Sequence, residues 1–333
     1  MIHTVEGEAM QKLVAGGIVW DNHACMPLRP DDDRFLPQLS RCRAAGIDMV
    51  TLNVGFGAGG IEAHIRMLAH FSAWIAARPA DYRVVLSVAD MDAAKREGQL
   101  GICFDIEGMN ALGGQRSMVS LYYSLGVRWM LVAYNQASLG GGGCLGDDAG
   151  LTGFGRDSIS AMNDAGMVVC CTHTGYRTAR EAIDASEFPV IFSHSNPRAM
   201  WDHPRNIPDD LMRACAARGG VIGITGIGPF LGDNDIRTET FVAHVLHAID
   251  AVGEDHVGIG MDWVFDPDEL TALMAASPDL LPADIYPSEF AQIPPWRLPE
   301  IATALFGRGC STRTIAKVMG GNLRRVAEAV WKT

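Results

Sequence analysis

Positive charge is scarce in this chain of 333 residues: Lys and Arg number 27 against 39 Asp and Glu, a formal net charge of -12. A sequence-independent grip on nucleic acid phosphates or on an anionic membrane surface is therefore not expected. No run of about 18 uninterrupted apolar residues occurs, so no bilayer-spanning helix is expected either. The first residues, MIHTVEGEAMQKLVAGG, lack the basic and apolar regions of a secretory signal. None of the eight cysteines (Cys25, Cys42, Cys103, Cys144, Cys170, Cys171, Cys215 and Cys310) forms a C-x-x-C pair, and several sit inside apolar runs. Free buried thiols in a reducing compartment, with the cytoplasm as default, are the expectation. Hydrophobic residues at 48% against 20% charged give a globular balance. A chain of this length buries roughly three quarters of its unfolded surface, so its core needs no disulfides.

What is present is a regular alternation. Nine apolar runs read as strands: GIVWDNHA, DMVTLNVG, RVVLSVAD, GICFDIEG, VRWMLVAYN, MVVCCTHT, PVIFSHS, GVIGITGIG and HVGIGMDW. Helical periodicity fills many of the gaps, as over 61–77, 155–165, 209–218 and 239–252. Near-continuous apolar strands between helices indicate a parallel sheet covered on both faces. The expected fold is a single α/β domain over 1–333, a (β/α)8 barrel of the TIM type. RVVLSVAD is the extra strand, because it lies closest to its successor. A doubly wound open sheet is the competitor, but no G-x-G-x-x-G opens a helix after the first strand. Polar residues also fall at the ends of many different strands: His23, Glu107, Tyr134, His173, His194 and Asp262. A barrel gathers such ends at one mouth. The proline-rich, acidic segment 267–299 reads as a long loop or cap, and two helices are expected near 311–319 and 322–331.

His173 and His194 each end an apolar run and lie 21 residues apart, one strand–helix–strand unit. With His23 and Glu107 at two further strand ends, they supply the imidazole and carboxylate ligands of a zinc-like ion that keeps a position open. Such an ion lowers the pKa of water and polarises carbonyls, which makes hydrolysis the natural chemistry.

On PVIFSHSNPRAMWDHPRNIPDDL, GEDHVGIGMDW, GLTGFGRDSISAMNDAGMVV and GGNLRRV, the sequence resembles the membrane (renal) dipeptidases, metallopeptidase family M19, from about Asp21 to Trp331. The resemblance implies a metal-dependent hydrolase barrel with a two-zinc site that cleaves dipeptides, and a homodimer. It implies that Glu107 bridges the metals, that His173 and His194 share one of them, and that His23 opens the family's H-x-D motif. It further implies that Arg205 holds the substrate carboxylate and that Asp262 serves the amino end and the leaving nitrogen.

Two positions depart from the family. The aspartate of the first-strand motif is Cys25, a softer ligand with a longer bond. Either Cys25 keeps the first metal with altered electronics, or that site is weakened and one ion remains; reduced occupancy is the favoured expectation. The histidine expected after VRWMLVA is Tyr134, which can still donate to an oxyanion but stays neutral near pH 7. Selective change around an intact Glu107, His173, His194, Arg205 and Asp262 points to a retuned hydrolase of a small carboxylate-bearing amide. The alternatives are a non-peptide C–N hydrolase or lyase on the same barrel, and a catalytically impaired binding or assembly protein. Gly140–Gly143 reads as a flexible rim loop or lid. His203 and His256 read as structural, and Asp31–Asp33 as a solvated turn.

Overall fold

A computed structural model describes residues 17–332 apart from 288; the N-terminal stretch read for a targeting signal lies almost wholly outside the described residues. Ten strands form one parallel sheet: β1 (Trp20–Cys25), β2 (Met49–Phe56), β3 (Tyr82–Val84), β4 (Leu100–Glu107), β5 (Val127–Leu131), β6 (Val168–Cys170), β7 (Ile191–Phe192), β8 (Val221–Ile224), β9 (Val257–Ile259) and β10 (Trp263–Val264). Their order is β10-β1-β2-β4-β5-β6-β7-β8-β9, with β3 paired only to β4. β9 and β10 are one run interrupted at Gly260–Asp262. Its start pairs with β8 and its end with β1, which closes an eight-membered barrel. β3 touches only the lower end of β4, at Leu100–Ile102, and so is the surplus strand.

Alternation along the strands divides the core. One set of side chains faces outward onto amphipathic helices such as Ile61–Ala76, where Met67, Leu68, Phe71, Trp74 and Ile75 are buried at helical spacing. The other set fills the barrel. Trp20, Met49, Cys103, Trp129, Leu131, Cys170, Ile191 and Val221 form its apolar floor, covered below by Leu323, Val326 and Val330 of the helix Asn322–Val330. Above that floor the interior turns polar, with Thr51, Asn53, Asp105, Thr172 and Ser193 all buried.

Two local expectations change. The segment 267–299 holds the helix Pro267–Ala276, which starts with proline directly after the Asp266 cap; the Asp266 side chain accepts from the amides of Asp268 and Glu269. Gly140–Gly143 is no lid: all four glycines are buried and tied down, with Gly142 N donating to Thr178 Oγ1 at 2.9 Å. A Cβ on Gly143 would lie 2.2 Å from the backbone of Asn135, so glycine serves close approach there and not flexibility.

Candidate metal centre and substrate cavity

The barrel mouth brings together all eight side chains singled out from the sequence. His23 and Cys25 come from β1, Glu107 ends β4, and Tyr134 follows β5. His173 and His194 follow β6 and β7, Arg205 lies on the loop after β7, and Asp262 sits in the break between β9 and β10. His173 and Asp262 both have φ of 60°, and Asn135 has 54°. Three of the five non-glycine residues with positive φ among those described thus lie in this site, where strain aims side chains inward.

Each imidazole is fixed through Nδ1. His23 Nδ1 donates to Asp105 Oδ2 at 2.8 Å, His173 Nδ1 to Asn135 Oδ1 at 2.6 Å, and His194 Nδ1 to Ser193 Oγ at 2.9 Å. That arrangement turns every Nε2 atom into the mouth. The three Nε2 atoms lie 3.7, 3.5 and 3.4 Å from Glu107 Oε1, and those of His173 and His194 lie 3.0 Å apart. Glu107 Oε1 is buried without a hydrogen-bond partner. Glu107 Oε1 thus faces three ring nitrogens and no hydrogen-bond partner, and a cation among them would satisfy it, so these residues fit a divalent metal. Two ligand groups lie within reach: Glu107, His173 and His194, and separately His23, His194 and Asp262.

Electrostatics divides the histidines. Burial, and then Arg205 and His23, hold His173 well below 6.5, and His194 falls in the same way. Burial also opposes charge on His23, but Asp105, Cys25 and Glu107 outweigh it and raise His23 well above 6.5. The field that favours a proton on His23 equally favours a metal ion. Burial lifts Glu107 to about 8 and pushes Asp262 up as well. Cys25 Sγ lies 3.4 Å from both His23 Nε2 and Asp262 Oδ1, and burial raises its thiol.

Arg205 is buried, with Nη2 donating to His173 Nε2 at 3.0 Å and Nε unpartnered. The Tyr134 ring stacks on His173 at 4.1 Å, and burial pushes its phenol well above 10, so it remains a donor. A cavity of about 310 Å³ opens over Cys25, Glu107, Tyr134, His173 and Asp262. Its outer wall is apolar and includes Leu270, Leu273, Leu281 and Phe290 of the 267–299 segment. His203 and His256 stay outside: His203 Nδ1 accepts from Arg205 N at 3.2 Å, and His256 Nδ1 donates to Gly220 O at 2.9 Å.

Sequence reasoning missed the residues behind the ligands. Asp105 stands two positions before Glu107 on one strand, hence on the same face, and that period is the signal that exposes it. Asn53 Nδ2 donates to Asp105 Oδ1 at 2.8 Å. Asn135 links the centre to the cap, since its Nδ2 donates to Leu280 O and to Tyr286 Oη, each at 2.9 Å. No local pattern announces that contact across 145 and 151 positions.

The profile of the membrane dipeptidase family (peptidase family M19) matches residues 41–280. Dipeptidase tcpJ of Claviceps purpurea is 31% identical over 241 residues, 71% of this chain and 52% of its own length. Dipeptidase verJ of Clonostachys rogersoniana is 32% identical over 238 residues, 71% of this chain and 56% of its own. The chain thus spans about half the length of these curated relatives. Among solved structures, an amidohydrolase from Pseudomonas aeruginosa superimposes with a TM-score of 0.88 at 27% identity, covering 97% of this chain and 99% of that one. On the matched profile and the barrel, the chain belongs to the membrane dipeptidase family, M19.

Proposed function

We propose that the chain is a zinc-dependent hydrolase of small carboxylate-bearing amides, with dipeptides as substrates. One observation carries the reading: three Nε2 atoms converge on the unpartnered Glu107 Oε1 beside the buried Arg205 guanidinium. Nitrogen donors with a carboxylate favour zinc over magnesium or calcium. Glu107, His173 and His194 would hold the tighter ion, and His23, Asp262 and Cys25 would frame a weaker second position. When bound, the metal supplies Lewis acidity, polarising a carbonyl and lowering the pKa of water.

The chain's own side chains do the rest. Arg205 offers its planar fork to the substrate's terminal carboxylate. Tyr134 donates to the oxygen on which negative charge grows as the amide is attacked. Asp262, whose carboxyl is pushed up by burial, receives the amino end and carries a proton to the leaving nitrogen. The dipeptidase names of the curated relatives support the substrate class. The same reading takes 1–333 as one barrel domain and, on the family resemblance, a homodimer. The eight unbridged thiols support a reducing, cytoplasmic setting.

The test is release of free amino acids from a dipeptide panel by metal-stripped and zinc-reloaded protein. Activity is expected only after reloading, and stripped protein with full activity overturns the metal role. Tyr134→Phe in the reloaded protein is expected to lower kcat by about a hundredfold with little change in KM.

A further inference from the structure

We infer that the cavity selects dipeptides whose N-terminal residue carries a bulky, uncharged, apolar side chain; the inference rests on the dipeptidase reading above. The cavity, about 310 Å³, lies at the small end of ligand sites, a volume for one compact molecule. Its polar lining is mostly at the barrel mouth, at Glu107, Tyr134, His173 and Asp262, while Glu269 and Tyr286 add polar atoms from the 267–299 segment. Arg205 lies on the β7 side, with its guanidinium 5.2 Å from the Phe230 ring. Asp262 lies across the mouth beside β1, where its amide donates to His23 O at 2.9 Å. A substrate anchored by its carboxylate at Arg205 therefore extends toward Asp262, and its amino-terminal residue reaches the β1 side.

The wall there is Met26, Leu28, Val264, Leu270 and Leu273, from the β1 loop, β10 and the helix Pro267–Ala276. Glu269 is the only charged residue that this helix adds to the lining. It is already engaged, with Oε1 3.1 Å from Arg29 Nη1 and accepting from Leu28 N at 3.2 Å. An acidic side chain placed against this wall would lose its hydration and face the Glu269 carboxylate, with no partner in return. An apolar one gains by leaving water, and full burial of a leucine-sized group corresponds to roughly ten- to hundredfold in kcat/KM.

The experiment compares Gly-Gly, L-Leu-Gly, L-Phe-Gly and L-Asp-Gly on the zinc-loaded protein, wild type and Leu273→Asn. L-Leu-Gly and L-Phe-Gly are expected to exceed Gly-Gly about ten- to hundredfold in kcat/KM, with L-Asp-Gly at or below Gly-Gly. Leu273→Asn is expected to shrink the Leu/Gly ratio severalfold, lowering L-Leu-Gly turnover more than Gly-Gly turnover, a split that general damage to the fold would not produce. Equal kcat/KM for all four dipeptides overturns the inference and leaves the dipeptidase reading standing. If none is cleaved, calorimetric Kd values make the same comparison. Tighter binding of L-Leu-Gly then upholds the apolar subsite while the dipeptidase reading falls, and equal or absent binding overturns the subsite.

Discussion

On the β6–β7 side of the mouth, His173 and His194 are held through Nδ1 by neutral partners, Asn135 and Ser193. On the β1 side, His23 is held by a carboxylate, Asp105, and faces the Cys25 thiol across 3.4 Å. A carboxylate behind an imidazole makes it a more basic ligand than an amide or hydroxyl does. At the rim His23 meets a thiol, and the carboxylate that holds it comes from one layer deeper, on β4. The two sides also differ in charge preference: His173 and His194 are held neutral, whereas His23 is pushed toward the cation. One half of the centre is a ready ligand pair for a metal. The other half sets His23 between the Asp105 carboxylate and the Cys25 thiol, with Asp262 beside it.

Glu107 Oε1 lies within 3.7 Å of the Nε2 atoms on both sides of the mouth, and its loss is expected to have the largest effect. Glu107→Gln should lower dipeptide hydrolysis by about a thousandfold or more and reduce bound metal on both sides. Metal analysis alongside kinetics checks this, and a variant that keeps its full metal content would separate the two halves. The next effect in size tests the β1 half alone. Asp105→Asn should weaken zinc binding there by about ten- to a hundredfold while sparing the ion held by His173 and His194. Competition with a chelator of known affinity reads both classes of site; uniform weakening would erase the difference between the sides.

Cys25→Asp runs the comparison in the opposite direction. Restoring a hard oxygen ligand beside His23 and Asp262 should raise bound zinc from nearer one toward two ions per chain, measured after dialysis against trace metal. Two tightly held ions in the wild type, both removed by chelator, would instead make Cys25 a working ligand.

How much of this is legible in the sequence depends on the range of the contact. Buried parallel strands appear as near-continuous apolar runs, so the nine runs locate the ten strands, with the last run split by Asp262 at φ 60°. The rim residues are legible because strand ends converge only in a closed barrel. The helix Pro267–Ala276 escapes because proline and acid read as loop, although proline just inside a helix start after an Asp cap is favourable. The glycine strap misleads for a related reason: four glycines signal flexibility on the page, but in the fold they permit backbone contact with Asn135. Asn135 itself, joined to the cap across 145 and 151 positions, has no short-range signature at all.

The smallest effect belongs to His203, which borders Arg205 on the β7 side and shows how that side handles pH without touching a metal ligand. Burial, and then the Arg205 charge, lowers its pKa to about 4 from an ordinary 6.5. A folded-state pKa below the unfolded one means that the unfolded chain takes up the proton first. The contribution to stability is therefore complete above about pH 6.5 and is lost as pH falls toward 4. With the ring partly in contact with solvent, the loss should be about 1–2 kcal/mol, or roughly 2–4 °C in Tm. His203→Gln keeps an acceptor for the Arg205 amide and does not titrate. The Tm difference between wild type and this variant, both metal-free, should therefore shrink in the wild type's disfavour between pH 7 and pH 4. A difference constant across that range would show that neither burial nor the Arg205 charge lowers His203 on this side of the mouth.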